Sequence, residues 1–194
     1  MTSVANTIRK KSFFPFLKGL IQVILNPRQG WLDAYGVKAD PKSLLVSGLV
    51  PFLAIVALTS LLSVFYRSSE TITHCVLEGV VDFTAYFVSV FITWSLLLFA
   101  FRRWNVKWRC DEGIVMTFVV YTIGSMAVIT FLQNVMPVEL ALLSFLPFYV
   151  IYIMFGAMDY LGIRSEDKDK FIVITILCLF IPPYIMTYLL GKII

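Results

Sequence analysis

The amino-acid sequence predicts an all-α membrane protein, a bundle of five transmembrane helices preceded by a short amphipathic interfacial helix. Of its 194 residues, 59% are hydrophobic and only 14% are charged, whereas about 25% of the residues of soluble domains are charged. A soluble globule of this size could not bury so much apolar surface. Apolar runs of about 20 residues, the length that crosses a bilayer, recur along the chain. These observations exclude most classes of soluble enzyme.

Residues 1–43 form a basic segment that we expect on the cytoplasmic side, with an amphipathic helix over about residues 15–26. Polar residues recur every four positions in that helix, at Lys18, Gln22 and Asn26. Pro15 suits its first turn, and Lys18 interrupts the apolar stretch, which argues against a cleaved signal peptide. The helix either lies in the interface, where Lys18 and Trp31 meet anionic lipids or a partner, or packs over the inner mouth of the bundle.

Residues 44–194 are predicted to form the membrane domain. The expected spans are 44–66, 83–101, 114–134, 140–158 and 171–190. Their apolar runs lack the alternation of a membrane β-strand. Prolines are expected to bend or break three of these helices and to free backbone carbonyls; they are Pro51, Pro147, Pro182 and Pro183. Such breaks either open a transport site or are tolerated because neighbouring groups bond the freed carbonyls.

The centres of the predicted spans contain no carboxylate or basic side chain, which argues against proton-coupled transport. The third span instead carries several hydroxyl groups, among them Thr117, Tyr121, Thr122, Ser125 and Thr130. They either line a narrow path or form hydrogen bonds between helices, and we favour packing. Because no intramembrane enzyme motif is present either, we expect neither catalysis nor a cofactor.

Basic residues predict the orientation of the chain. Residues 1–43 hold seven Lys and Arg, residues 102–113 hold four and residues 159–170 hold three, which is fourteen of the sixteen. Short loops rich in these residues stay in the cytoplasm. We therefore expect the N-terminus inside, the C-terminus outside and an odd number of spans. Nucleic acid is not an expected partner. The net charge of +4 comes from basic loops on one side of the membrane, and not from a basic face on a soluble fold.

The most specific polar pattern is an outer stripe of residues that recur every four positions: Glu70, His74, Glu78 and Asp82. If this stretch is helical, the four side chains share one face. Carboxylates with an imidazole can hold a divalent cation or admit protons. The simpler interpretation is a solvated loop whose acidic residues favour the N-terminus of the next helix. We assign no metal ion to this stripe. It does suggest an alternative function, a small transporter or channel with an outer cation site.

Three local motifs resemble the Yip-one domain family, five-span membrane proteins that interact with Ypt/Rab GTPases, and in particular its prokaryotic branch. The motifs are Asn26-Pro27-Arg28-Gln29-Gly30-Trp31, Phe118-Val119-Val120-Tyr121-Thr122-Ile123-Gly124-Ser125, and Tyr160-Leu161-Gly162-Ile163 before the charged stretch Arg164 to Lys170. Val120 and Ser125 stand where the family has glycine and proline. The likeness covers roughly residues 15–190.

The resemblance implies the five-span fold and an association with membranes or membrane-protein partners more than GTPase binding, since the longer N-terminal region through which eukaryotic members engage GTPases is missing here. The absence of buried ionisable residues, together with the amphipathic basic N-terminal segment, leads us to expect a noncatalytic protein of a prokaryotic cytoplasmic membrane that acts as a membrane-organising or protein-interaction scaffold. Its expected partners are the lipid bilayer, anionic lipids and other membrane proteins. The sequence indicates no oligomeric state.

Overall fold

The structure, a computed structural model, describes residues 2–36, 40–65, 71–106, 111–136 and 145–192, with side chains described from residue 13 onward except at 35 and 36. Every regular element in these ranges is helical, which confirms the predicted fold class. The helices are α1 (Thr2–Leu25), α2 (Pro27–Gly36), α3 (Pro41–Phe65), α4 (Ile72–Arg103), α5 (Glu112–Val135), α6 (Leu146–Gly156) and α7 (Lys168–Gly191).

Four helices, α3, α4, α5 and α7, are long and apolar enough to cross a membrane. They contain 24 to 32 residues, which gives lengths of about 36–48 Å for a hydrocarbon layer of about 30 Å. Large apolar side chains cover their outward faces, as expected for surfaces that contact lipid and not water. The chain is therefore a multi-pass integral membrane protein.

The predicted span 140–158 differs from what the structure contains. In the described part of this stretch, α6 covers Leu146–Gly156 and has 11 residues, about 16 Å of rise, so a fifth span is not shown. Pro147 lies in the first turn of α6. A proline there leaves no carbonyl of its own helix without a partner, so Pro147 neither bends nor breaks α6.

The first membrane helix, α3, adapts locally to Pro51. Leu44–Leu49 form π-helical turns, and the backbone amide of Val50 donates to the carbonyl of Leu45, five residues back. A proline ring clashes with the preceding turn of a regular α-helix, and a π turn widens the helix at that point. As a result α3 continues past Pro51 to Phe65, where it ends in 3₁₀ turns.

The last helix, α7, runs without a break through Pro182 and Pro183, so the predicted break in this span is wrong. Pro182 has no N–H to donate to the carbonyl of Cys178, its partner in a regular helix. Thr93 of α4 donates its hydroxyl to that carbonyl over 3.0 Å. A neighbouring helix thus bonds the carbonyl that Pro182 frees, which is how membrane proteins tolerate such prolines.

The central helix is α5, in which every residue from 117 to 125 is buried. Three of its buried hydroxyls donate to the carbonyl four residues earlier, over 2.8–3.0 Å, at Thr117, Thr122 and Ser125. They neither line a path nor join helices, so the predicted interhelical bonds are wrong for these three. Thr130 does bond between helices, because its hydroxyl lies 2.7 Å from that of Tyr86 in α4.

Three phenylalanines mark one end of the bundle. We call it the hairpin end, because α1 and α2 form a helical hairpin that packs there. The ring of Phe171, at the start of α7, lies 5.8 Å from the ring of Phe101 and 6.3 Å from that of Phe118. Consequently α5 and α7 begin at this end and α4 finishes there. At the far end, the Asn134 amide of α5 donates to the Thr59 hydroxyl of α3 over 3.3 Å.

Candidate interaction site

Helices α1 and α2 form an N-terminal hairpin that packs into the bundle. Three side chains of α1 are almost completely buried, at Phe16, Leu20 and Val23, and this spacing places them on one helical face. This burial agrees with the alternative in which the helix packs against the bundle, and not with a helix that lies flat in the membrane interface. We predicted Pro15 in the first turn of this helix. That prediction is wrong, because α1 begins at Thr2 and Pro15 lies in its interior.

Glycines on three other helices receive the hairpin. A Cβ atom at Gly48 of α3 would lie 2.6 Å from the Phe16 ring, and one at Gly156 of α6 would lie 2.9 Å from Pro27. Phe16 also reaches Gly124 of α5, which is about 18 Å of helical rise from the start of that helix. The hairpin therefore extends from the hairpin end to the middle of the central helix.

Trp31 of α2 anchors the hairpin. Its side chain is 0% exposed, and its indole N–H donates to the carbonyl of Ile153 in α6 over 3.0 Å. That carbonyl belongs to the last turn of α6, where Ala157 donates to Met154 instead, so Trp31 bonds a group that the helix leaves free. The prediction that Trp31 meets lipid or a partner at the surface is wrong, because its whole surface is used inside the chain.

Residues of all three motifs that suggested a family resemblance meet at this tryptophan. Its ring centroid lies between 5.2 and 6.0 Å from those of Phe118, Tyr121 and Tyr160. We call these four residues the aromatic cluster. Phe118 and Tyr121 belong to the second motif and Tyr160 to the third. Segments far apart in the sequence thus form one packed unit at the hairpin end.

Lys18 lies on the outward face of α1, exposed as predicted. Large apolar side chains flank it on the same face, and each is more than half exposed: Phe14, Ile21 and Leu25. Among the residues that the structure describes, no carboxylate lies within ion-pair distance of Lys18. The hairpin thus presents an apolar outer surface with one cation in it.

Asp33 of α2 is a polar group beside this surface that the sequence pattern did not single out. It accepts hydrogen bonds from the side-chain amides of Gln22, over 3.3 Å, and Gln29, over 2.9 Å. Gln22 follows Lys18 by one helical turn, so the polar row predicted on α1 leads to a carboxylate on α2. A search for residues spaced along one helix cannot detect a partner on another helix.

The outer stripe lies on α4, which begins at Ile72 and so before the predicted bound at residue 83. Thr71 caps it by accepting a hydrogen bond from the His74 amide, and helix formation here places His74, Glu78 and Asp82 on one face. The His74 Nδ1 atom lies 3.7 Å from a Glu78 carboxylate oxygen. Glu70 lies outside the described residues. Within the ranges that the structure covers, no three His, Cys, Asp or Glu side chains are grouped to hold a metal ion.

No protein-family model matches this chain, and no curated protein or solved structure matches it. The resemblance to the Yip-one domain family therefore depends on the sequence motifs alone. The candidate site is accordingly built from this chain's own geometry: the buried aromatic cluster that holds the hairpin, and the exposed hairpin face around Lys18 and Asp33.

Proposed function

We propose that this protein is a noncatalytic scaffold that organises membranes or binds other membrane proteins, and that its N-terminal hairpin is the surface it presents to them. The observation that carries this proposal is the aromatic cluster. It joins residues as far apart in the sequence as Trp31 and Tyr160 and fills the space between helices at the hairpin end with side chains. A filled interior and a rigidly held outer surface favour binding at the surface over passage of a solute through the bundle.

The direction of the helices supports five crossings. Both α5 and α7 run from the hairpin end to the far end, so the chain returns between Val135 and Gly156. Gly156 lies against Pro27 of the hairpin, which puts the end of α6 at the hairpin end. We therefore propose that the return is the fifth crossing, with α6 as its described part.

The positions of the basic segments support a cytoplasmic hairpin end. Arg28 lies 3.9 Å from Asp159, and Arg102 lies 2.7 Å from Glu112. Members of all three Lys- and Arg-rich segments are thus gathered at one end of the bundle. By the positive-inside rule this end faces the cytoplasm. The end of α7 then lies on the outer side of the cytoplasmic membrane of a prokaryotic cell.

Kinship with the Yip-one domain family is part of the proposal. The three motifs resemble those of that family, and their aromatic residues form one cluster. A motif that recurs because it packs is expected to make such contacts. The family's association with membranes and membrane-protein partners then suggests the same kind of role here.

The test compares partners captured by the full chain and by variants of its hairpin face. Leu25→Ser with Leu32→Ser changes exposed positions of the hairpin, whereas Leu58→Ser with Leu177→Ser changes exposed positions of α3 and α7. After crosslinking in native membranes, the first pair should lose proteins that the wild type and the second pair retain. Equal capture by both pairs would contradict the proposal.

A transport assay separates the scaffold from the alternative of a small transporter or channel. The purified protein in liposomes should produce no saturable flux of a cation or solute. A flux that Asp82→Asn abolishes would instead favour an outer cation site on α4.

A further inference from the structure

We propose that the outward face of the hairpin binds one phospholipid whose head group carries both a phosphate and a primary ammonium group, as in phosphatidylethanolamine. Lys18 pairs with the phosphate and Asp33 accepts hydrogen bonds from the ammonium group. This lipid site does not depend on the scaffold role, because it concerns the membrane itself and not a protein partner.

The surroundings of Lys18 require an anionic partner. Phe14 and Ile21, both more than half exposed, flank it on an apolar outward face, the kind of surface that faces lipid in a membrane protein. A charge in such a position is costly unless it is paired, and lysine extends its flexible chain toward the head groups. The neighbouring Gly19 lies against Tyr121 of α5, about 14 Å of rise from the start of that helix. Lys18 therefore lies below the hairpin end, and its side chain extends toward that end to meet a lipid phosphate.

Asp33 supplies the complementary charge. Its two oxygens accept one amide hydrogen bond each, from Gln22 and Gln29, and a carboxylate oxygen accepts more than one bond. In the part of the chain that the structure describes, Asp33 has no basic residue within ion-pair distance, and it is not paired with Lys18. One cation and one carboxylate thus flank Gln22 without pairing with each other, which leaves each free to engage one charge of a head group.

The order of these groups along α1 matches the order within a phospholipid. From the hairpin end inward come Asp33 beside Gln22, then Lys18 one turn deeper, then Phe14 one turn deeper again, with about 6 Å of rise at each step. In a phospholipid the ammonium group, the phosphate and the acyl chains follow in the same direction. Because Lys18 is the deeper of the two charges, the face fits this head group in one orientation.

An apolar groove at the deep end of this face can receive an acyl chain. The groove has a volume of about 310 Å³ and is lined by Phe13 of α1, by Ser47, Pro51 and Ala54 of α3, and by Phe83 of α4. It lies between three helices. Phe13 adjoins Phe14, so the groove continues from the end of the charged face.

Two lipids that differ only in the ammonium group test the proposal. Phosphatidylethanolamine has N–H donors for Asp33, whereas phosphatidylcholine of the same acyl chains has none. We expect the full-length protein in detergent, titrated with each lipid and observed by native mass spectrometry, to bind phosphatidylethanolamine about tenfold more tightly. Equal affinity of the wild-type protein for the two lipids would overturn the proposal without any variant.

Two variants assign the two charges. Asp33→Asn should remove the preference for phosphatidylethanolamine but leave binding of phosphatidylglycerol, which has no ammonium group, unchanged. Lys18→Gln should weaken binding of all three lipids by about tenfold. The matched controls Asp169→Asn and Lys192→Gln change exposed charges outside the hairpin and should alter neither property. A preference that survives Asp33→Asn, or controls that behave like the site variants, would refute the assignment.

Discussion

Trp31 illustrates how one buried side chain can fix the position of two helices. Its ring packs against three aromatic residues from two other parts of the chain, and its N–H bonds the Ile153 carbonyl. The ring supplies apolar burial, and the N–H satisfies a backbone group at the end of α6. Loss of the side chain therefore affects both the hairpin and α6.

Trp31→Ala should lower the free energy of unfolding by about 3–5 kcal/mol, because it leaves a large cavity. Trp31→Phe keeps an aromatic ring but leaves the Ile153 carbonyl without its donor, which should cost about 1–3 kcal/mol. Reversible unfolding of the purified protein in mixed micelles measures both. The control is Trp104→Ala, since Trp104 is 54% exposed; a similar loss there would show that the anchoring role of Trp31 is wrong.

At the scale of the helices, the close approach of α1 to α3 depends on Gly48. The Phe16 ring occupies the space that a side chain at Gly48 would need, so the contact between α1 and α3 requires a residue without Cβ. Membrane helices commonly use small residues in this way. Here the partner is an aromatic ring on the hairpin and not another spanning helix.

Gly48→Ala should destabilise the fold by about 1–3 kcal/mol, because the Phe16 ring must move. In a Phe16→Ala background Gly48→Ala should cost less, because the ring atoms nearest to the new Cβ are gone, so the two changes are not additive. Gly191→Ala serves as the control, because no atom lies within 4 Å of the Cβ position there. Strict additivity of Gly48→Ala and Phe16→Ala would contradict the proposed contact.

The contact between α4 and α7 depends on a carbonyl that Pro182 frees. Thr93→Val removes the donor to Cys178 and should cost about 0.6–1.7 kcal/mol, the range measured for bonds between membrane helices. In a Pro182→Ala background the same change should cost little, because the new backbone amide bonds that carbonyl. Unfolding of the four proteins of this double-mutant cycle measures the difference. Ser89→Ala, one turn away, removes a buried hydroxyl that has no hydrogen-bond partner and should cost less than Thr93→Val.

At the scale of the whole molecule, Arg28, Arg102 and Asp159 lie at the hairpin end, and α7 finishes at the other end. The proposed topology therefore has the chain cross the membrane an odd number of times between the hairpin and Lys192. Deleting the N-terminal hairpin would remove part of the core as well as the outer surface, because Phe16 and Leu20 are buried.

Cysteine labelling in intact cells tests this topology. In a background without the native cysteines, Arg28→Cys and Arg164→Cys should be protected from an impermeant thiol reagent, whereas Lys192→Cys should react. The physical reason is that basic loops are retained in the cytoplasm. Reaction of positions 28 and 192 from the same side would exclude five crossings.

Much of the fold is predictable from the sequence because the relevant signals are local. The length of an apolar run predicts a spanning helix, and this identifies α3, α4, α5 and α7. Boundaries are less accurate, as at α4, where the Thr71 cap extends the helix to Ile72, before the apolar run. The face shared by His74, Glu78 and Asp82 follows from spacing alone once the stretch is helical.

The candidate site is only partly predictable, because its contacts join distant segments. The sequence by itself determined the helical class and the exposure of Lys18, each of which depends on neighbouring residues along the chain. Only the tertiary structure decided that Trp31 is buried, that Asp33 lies beside Gln22 and that α7 continues through Pro182. Each of these depends on a cavity, a hydrogen-bond donor or an acceptor that another helix supplies at the required distance. The spacing of residues along one helix cannot predict such a contact.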